Sequence, residues 1–326
     1  MERIVLYGLG KQFQKNVINN NYLCDKLKKY HIVGFIDQNK CGERIIFNNI
    51  VYTVRSFEIL EDLSVDKIFI TSVRYQDEIR CKLKEYGFSD GQIETLDRLI
   101  FYLFEHAKLI EQNIRGIGLE IGGPSDVFSH IYDVCTGCDG INFCTDTIWW
   151  KQTDEDKYAY GDHTLGKMYI TDATNLADLQ SGYYDFVISS NNLEHIANPL
   201  KAMGEFYRVV KKSGVIIVVV PRKFVNFDHN RQFTTFRHIL GDYENNITED
   251  DLSHLPEIIE KHDFGMDPAC GGKDKFIQRA SQNFENRCLH HHVFDKECLI
   301  SMFEYYNLKI LEYAETYSDY WIIGEK

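Results

Sequence analysis

Apolar positions in this chain fall into short β-rich runs separated by longer amphipathic stretches. Arg3–Tyr7 is the first run and ends in Gly8-Leu9-Gly10; the next twenty residues set Phe13, Val17, Ile18, Leu23 and Leu27 among lysines and asparagines. That spacing predicts strand, glycine turn and helix. His31–Ile36 predicts a second strand closed by Asp37, followed by a polar loop containing Gly42, a short segment over 50–54 and a helical stretch over 56–62. Residues 66–72 predict a further buried strand, 74–86 a helix stopped by Gly87, and 92–96 a last short strand. Strands alternating with helices argue a parallel sheet with helices on both faces.

Residues 97–113 read as an amphipathic helix with Leu99, Ile100, Leu103, Phe104, Ala107 and Ile110 on its apolar side. Beyond Arg115 the alternation starts afresh, with strands expected at 118–121, 132–138, 168–171, 185–190, 215–220, 309–315 and 320–324. The last two are joined only by Tyr317-Ser318-Asp319, too short for a crossover, so they must be antiparallel neighbours. The expected fold is α/β, with two Rossmann-like doubly wound domains, 1–96 and 116–326, linked by a helix over 97–115. The second is expected to be a seven-stranded sheet with an antiparallel last strand and a helical insertion, 221–293, after the fifth strand.

A length of 326 residues accommodates two such cores. The composition, 44% hydrophobic and 26% charged with 5 prolines, excludes a collagenous or disordered chain. Lysine and arginine total 36 against 49 acidic residues, and the resulting charge of −13 would repel a phosphate backbone. No apolar run approaches the ~18 to 20 residues of a membrane span. The chain enters a strand directly from Met1-Glu2, so a cytoplasmic location with no leader is expected. The nine cysteines read as reduced thiols; Cys135, Cys138 and Cys144 lack the second pair that a closed zinc site needs.

Glu120-Ile-Gly-Gly-Pro-Ser125 follows a strand and precedes a helix-compatible stretch, the place where an open parallel sheet binds its ligand. Gly122 and Gly123 admit close approach to the backbone. Asp139, at the expected end of the next strand, is placed for a pair of ribose hydroxyls, and Asp172, before Ala173, for an adenine amine. Ser190 and Asn191 complete the rim. The order continues as Tyr184-Asp-Phe-Val-Ile-Ser-Ser-Asn-Asn-Leu-Glu-His-Ile-Ala-Asn-Pro199, a helix over 200–210, and Lys212-Ser-Gly-Val-Ile-Ile-Val-Val-Val-Pro221. This resembles the class I S-adenosylmethionine-dependent methyltransferases over nearly all of 116–326. The resemblance implies S-adenosyl-L-methionine as cofactor, held by Glu120 near the methionine amine, by Gly122, Gly123 and Ser125, and by Asp139 and Asp172 at ribose and adenine. Pro124 and Asp126 stand where that family has further glycines, so the loop must follow another path. The Glu-Ile-Gly-Gly-Pro-Ser pattern looks like a subgroup encoded with surface-polysaccharide genes.

Methyl transfer is an in-line displacement in which the protein supplies alignment, and a hydroxyl acceptor also needs a base. Candidates are His195 after the fourth strand, which has a second reading as a support for the loop, then Asp228, His229 and Arg231 beyond the fifth, and His291. The insertion also carries His254, Glu257, His262, Asp263, His290 and His292. Without a His-Glu-x-x-His motif these read as a polar lid over a glycan or amino-acid substrate, with no metal expected. Trp149 and Trp150 either stack on a sugar or cap the core.

The first domain lacks the third glycine of a dinucleotide fingerprint, which would fall at Phe13. Asp37, closing Val33-Gly-Phe-Ile-Asp, is placed for a ribose or sugar contact, and the segment is similar to Rossmann-like domains of sugar acyltransferases that handle nucleotide-linked sugars and to accessory domains of sugar methyltransferases. Nucleotide-sugar binding and a structural or dimerising role both stand. The expected activity is methylation of an N or O atom of a sugar, or of an amino-acid substituent, in a glycan precursor, nucleotide-linked or not, by a chain that forms a homodimer. A NAD-dependent sugar oxidoreductase using Gly8, Gly10 and Asp37, and a non-catalytic nucleotide-sugar-binding protein, are the alternatives.

Overall fold

A computed structural model of the chain describes residues 1–10, 13–14, 18, 24, 27–72, 75–96, 99, 114–147, 151, 156–316 and 318–326. The expected connecting helix lies almost wholly outside the described residues, as do most of the first helix, Trp149 and Trp150. The chain divides into two compact units, Met1–Leu109 and Ile110–Lys326.

In the first unit, β1 (Arg3–Tyr7), β2 (His31–Ile36), β5 (Lys67–Ile70) and β6 (Ile93–Thr95) form a parallel sheet in the order β2-β1-β5-β6. Leu6, Phe35 and Phe69 are wholly buried, as a sheet covered on both faces requires. The polar loop expected around Gly42 instead contributes a strand: β3 (Arg44–Phe47) and β4 (Ile50–Thr53) pair as a hairpin. Its turn residues, Asn48 and Asn49, both have positive φ, which Asn tolerates well. Asp37 does close β2, but its Oδ2 accepts from Leu9 N–H at 2.7 Å and its Oδ1 from Asn39 N–H at 2.9 Å. One oxygen therefore pins the glycine turn and the other caps the short turn that follows β2.

The second unit is built on an eight-stranded sheet. Its strands are β7 (Ile117–Ile121), β8 (Gly137–Asn142), β9 (Lys157–Tyr160), β10 (His163–Ile170), β11 (Tyr184–Ser190), β12 (Val210–Pro221), β13 (Lys309–Glu315) and β14 (Asp319–Glu325). The order is β13-β14-β12-β11-β7-β8-β10-β9. The five central strands are parallel, and β14 runs antiparallel to both β12 and β13, as the short connection demands.

Two expectations need correcting. The strand count is eight rather than seven, because β9 adds antiparallel to β10. The segment expected as a strand over 132–138 is in part a short helix, Ser129–Val134, and the strand itself is displaced to Gly137–Asn142. That strand is poor in β-branched residues, which hides it from a propensity reading. Its Gly140 has a steric purpose: a Cβ there would stand 2.2 Å from the ring of Tyr158.

Residues 221–293 form four short helices, Phe236–Glu244, Leu255–Lys261, Lys273–Ala280 and Asn283–Asn286. Pro256, expected to break a helix, falls in the first turn of Leu255–Lys261, where its missing N–H costs nothing. Ile258, Cys270, Phe276, Ala280 and Leu289 give this insertion a small core of its own. Its polar counterpart is Arg231, only 4% exposed. The guanidinium donates to Asp228 at 3.1 Å, Glu257 at 3.0 Å, and the carbonyls of His290 at 2.7 Å and His291 at 3.3 Å. It thereby ties the start of the insertion to its end. Among the described residues no helix is long and apolar enough to cross a membrane.

Two substitutions test this packing by urea denaturation. Gly118→Ala puts a methyl group 2.0 Å from the buried Phe186 ring, and the overpacking should cost about 1–3 kcal/mol, partly recovered by adding Phe186→Leu. Arg231→Ala leaves Asp228 Oδ1 and the His290 carbonyl without the donor that Arg231 supplies and should cost about 3–5 kcal/mol. A loss of unfolding free energy below a third of either value contradicts the corresponding contact.

Candidate active site

From β7 the chain passes to β8 and β10 on one side of the sheet, then returns to β11 on the other. The crevice beyond the carboxyl ends of β7 and β11 is thus the switch point at which open α/β sheets take their ligands. Glu120 lies at this end of β7 and is wholly buried. Its Oε2 accepts from the hydroxyls of Tyr132 and Tyr158, each at 2.6 Å. Burial is the dominant influence and lifts its pKa to about 7 against the lowering effect of those hydroxyls.

Among the described residues Glu120 Oε1 has no hydrogen-bond partner, nor do two other buried atoms of this edge, Ser189 Oγ and Asn192 Oδ1. Leaving three buried polar atoms unpaired is costly in a folded protein, and their clustering at a switch point marks a place built to receive polar groups. Ser190 is buried at the end of β11, and Asn191 follows in the left-handed region at φ 46°.

The glycine turn is held tightly. Gly122 has φ +80°, its N–H donates to Ile141 at 2.9 Å, and a Cβ would stand 2.4 Å from Asn192. A Cβ on Gly123 would stand 2.2 Å from the Tyr158 hydroxyl. Pro124 follows through a cis peptide bond. Ser125 N–H donates to the Tyr132 hydroxyl at 2.9 Å, so the same tyrosine fixes the turn and Glu120.

Asp139 does not close its strand. It is the third residue of β8, three positions short of the carboxyl end, or ~10 Å at a strand's rise. Its Oδ1 accepts from Lys167 N–H at 2.7 Å and its Oδ2 from the Tyr184 hydroxyl at 2.9 Å. The strand ends at Asn142, which is buried and donates to the Gly123 carbonyl at 3.0 Å. Asp172 does lie just past β10, with Ala173 packed on the core. Its Oδ1 accepts from Thr174 N–H at 2.8 Å, and its Oδ2 pairs with Arg287 of the insertion at 3.1 Å. Arg287 also reaches Glu249 at 3.1 Å.

The carboxyl edge beside β11 carries a second group, assembled from the turn Leu193–His195 and the two ends of the insertion. His290 Nδ1 lies 2.5 Å from Asp228 Oδ2, and its ring meets that of His195 edge-on at 4.5 Å between centroids. Burial opposes ionisation of Asp228, but the charge and hydrogen bond of His290, joined by Arg231, outweigh it and hold the carboxyl at about 2. Burial likewise works against the His290 cation, and Asp228 overcomes it, leaving His290 above its ordinary value. Burial, followed by the charge of His290, keeps His195 well below the usual histidine range. Glu194, 1% exposed, is lifted by burial to about 7.

The expected catalytic residues therefore separate. His195 and Asp228 join this group. Arg231 is a structural tie, its guanidinium committed to the insertion. His229 pairs with Asp263 at 2.9 Å on a partly exposed surface. His291 lies inside the insertion, 2.9 Å from Asn283, and burial pushes it down to about 4. Sequence reading passed over Tyr132, Tyr158, Asn142, Asn192, Glu194 and Arg287 and left His290 without a role. Glu194 and His290 were legible only as neighbours of His195 and His291.

Residues 120–218 match the family described as a methyltransferase domain, and residues 1–94 match the family described as C2185-like, N-terminal. Solved structures similar to this chain include a SAM dependent methyltransferase from Aquifex aeolicus, at 9% identity over 75% of this chain and 97% of that one, with a TM-score of 0.37. Another, from Archaeoglobus fulgidus, is 14% identical over 71% and 95%, with a TM-score of 0.37. The N-methyltransferase NodS from Bradyrhizobium japonicum WM9 is 12% identical over 71% and 99%, with a TM-score of 0.36. No curated protein matches the chain. The match over 120–218 falls on the strands that frame the switch-point crevice, and this part of the chain is a methyltransferase domain.

Proposed function

We propose that the chain methylates an oxygen or nitrogen atom of a sugar, or of an amino-acid substituent on it, in a surface-polysaccharide or protein-glycan precursor. The observation that carries this reading is the buried polar group of Glu194, His195, Asp228 and His290 at the carboxyl edge next to β11, beneath an insertion lined with hydrogen-bonding side chains. A hydroxyl or amine acceptor needs such a group to orient it and to take up its proton. The net charge of −13 favours a small acceptor over a nucleic acid.

Bound S-adenosylmethionine supplies an electrophilic methyl group on a sulfonium sulfur. Glu120 offers Oε1 to the ammonium of the methionine moiety, and Gly122, Gly123 and Ser125 form the turn beneath it. Asn142, at the end of β8, takes the ribose position that the sequence suggested for Asp139. Asp172 and Ala173 flank the adenine, and Ser190 and Asn191 close the rim. Through these residues the protein supplies what an in-line displacement needs from it, alignment and exclusion of water.

Transfer of a tritiated methyl group to a panel of nucleotide-linked sugars, amino sugars among them, tests the acceptor; label on none of them, with label on nucleic acid or protein instead, would sink the glycan reading. The cofactor site has its own test. Burial keeps Glu120 protonated below about pH 7 in the free protein, and an ammonium ligand favours the carboxylate. Affinity for S-adenosylhomocysteine should therefore rise with pH up to about 7 and level off above it, with close to one proton released per ligand near pH 6. Calorimetry in two buffers of different ionisation enthalpy reads that release. Glu120→Gln should abolish the pH dependence and weaken binding about 10- to 100-fold. Unchanged affinity in the variant would remove Glu120 from the site.

A further inference from the structure

We infer that Glu194, His195 and His290 form a binding site for one divalent transition-metal ion of the zinc, iron(II) or manganese class. One ligand atom from each of the three lies within 4.8 Å of the others. Glu194 is 1% exposed, and among the described residues its Oε2 has no hydrogen-bond partner. An unpaired carboxylate oxygen in so dry a place is unfavourable, and a cation is the counterpart that relieves it.

The two imidazoles are turned as metal ligands are. His290 directs Nδ1 to the Asp228 carboxylate at 2.5 Å, and His195 directs Nδ1 to the Leu289 carbonyl at 3.1 Å. Facing acceptors, both Nδ1 atoms carry a proton, so in the neutral ring the lone pair of each is on Nε2, and an ion binding there takes the place of the second proton of His290. Metal-bound histidines characteristically give their other ring N–H to a carboxylate or a backbone carbonyl, and here one ring has each. Asp228 is fixed in turn by Arg231 at 3.1 Å.

The supporting backbone is equally set. Glu194 and His195 sit on the short turn after β11, and His291 N–H donates to the Glu194 carbonyl at 2.8 Å, locking the neighbouring His290 against that turn. The ligands come from segments far apart in sequence, so no helical His-Glu-x-x-His motif is required. Two imidazole nitrogens and one carboxylate oxygen, with no thiolate, suit borderline transition metals over calcium or magnesium. Three protein ligands leave a position open, and a narrow recess lies against Glu194, lined also by Lys223, Asn226 and Asp228. An ion there would offer that position to an acceptor oxygen or nitrogen.

The site is tested without turnover, so its failure is distinct from failure of the acceptor reading. The full-length protein, stripped with a chelator, is titrated with Co²⁺ and followed by visible absorption. One equivalent should bind with a ligand-field band that Zn²⁺ bleaches. His290→Ala and Glu194→Gln should each weaken Co²⁺ binding by at least about tenfold, and Asp228→Asn by about 10- to 100-fold. His238→Ala, in a separate histidine cluster of the insertion, should leave it unchanged. Circular dichroism confirms folding of each variant, and Glu194→Gln, nearly isosteric and free of a buried charge, decides the matter if the others unfold. Absence of the band in the wild-type protein, or Co²⁺ affinity unchanged in folded Glu194→Gln, overturns the proposal.

Discussion

A carboxylate buried at the end of the central strand is the constraint around which the methyltransferase unit is arranged. Glu120 would be costly in that position without donors, and the donors come from two separate additions to the sheet: Tyr132 from the short helix after the glycine turn, and Tyr158 from β9. Gly140 is required because the Tyr158 ring crosses β8 at that point, and Gly123 because the hydroxyl arrives beneath the turn. Only one oxygen of Glu120 is satisfied this way. What stabilises the fold on one side of the carboxylate leaves the other side available for chemistry.

The insertion after β12 follows the same principle with opposite charges. Arg231 is buried among one carboxylate on each of two segments and two backbone carbonyls, an arrangement that fixes where residues 290 and 291 run. Its partner Asp228 then orients His290. The insertion also reaches the far end of the crevice, where Arg287 bridges Asp172 and Glu249. A single segment therefore contacts both Asp172 past β10, through an ion pair, and the turn after β11, through the His291 N–H bond to the Glu194 carbonyl.

Much of the second unit was legible along the chain. The runs that became β7, β11 and β12 are dense in branched and aromatic residues, and the connection after β13 is too short for anything but a hairpin. Glu120 and the glycines could be placed because a strand, a turn and a helix follow in immediate succession. β8 and β9 were harder. Glycines at 137 and 140 dilute the strand signal of β8, and those glycines make sense only once Leu165 and Tyr158 are seen lying against them.

The sequence by itself determined the alternation of strands and helices, the antiparallel closing pair and the position of the glycine turn, because these depend on periodicity and connection length, which are local. Only the tertiary structure decided that Asn142, not Asp139, ends its strand, that Arg231 and His291 support the insertion, and that Glu194 and His290 meet His195. A strand's end is set by the register of its neighbours, and a side chain's role by partners that burial brings to it from elsewhere in the chain. Neither quantity is carried by residue type or spacing alone.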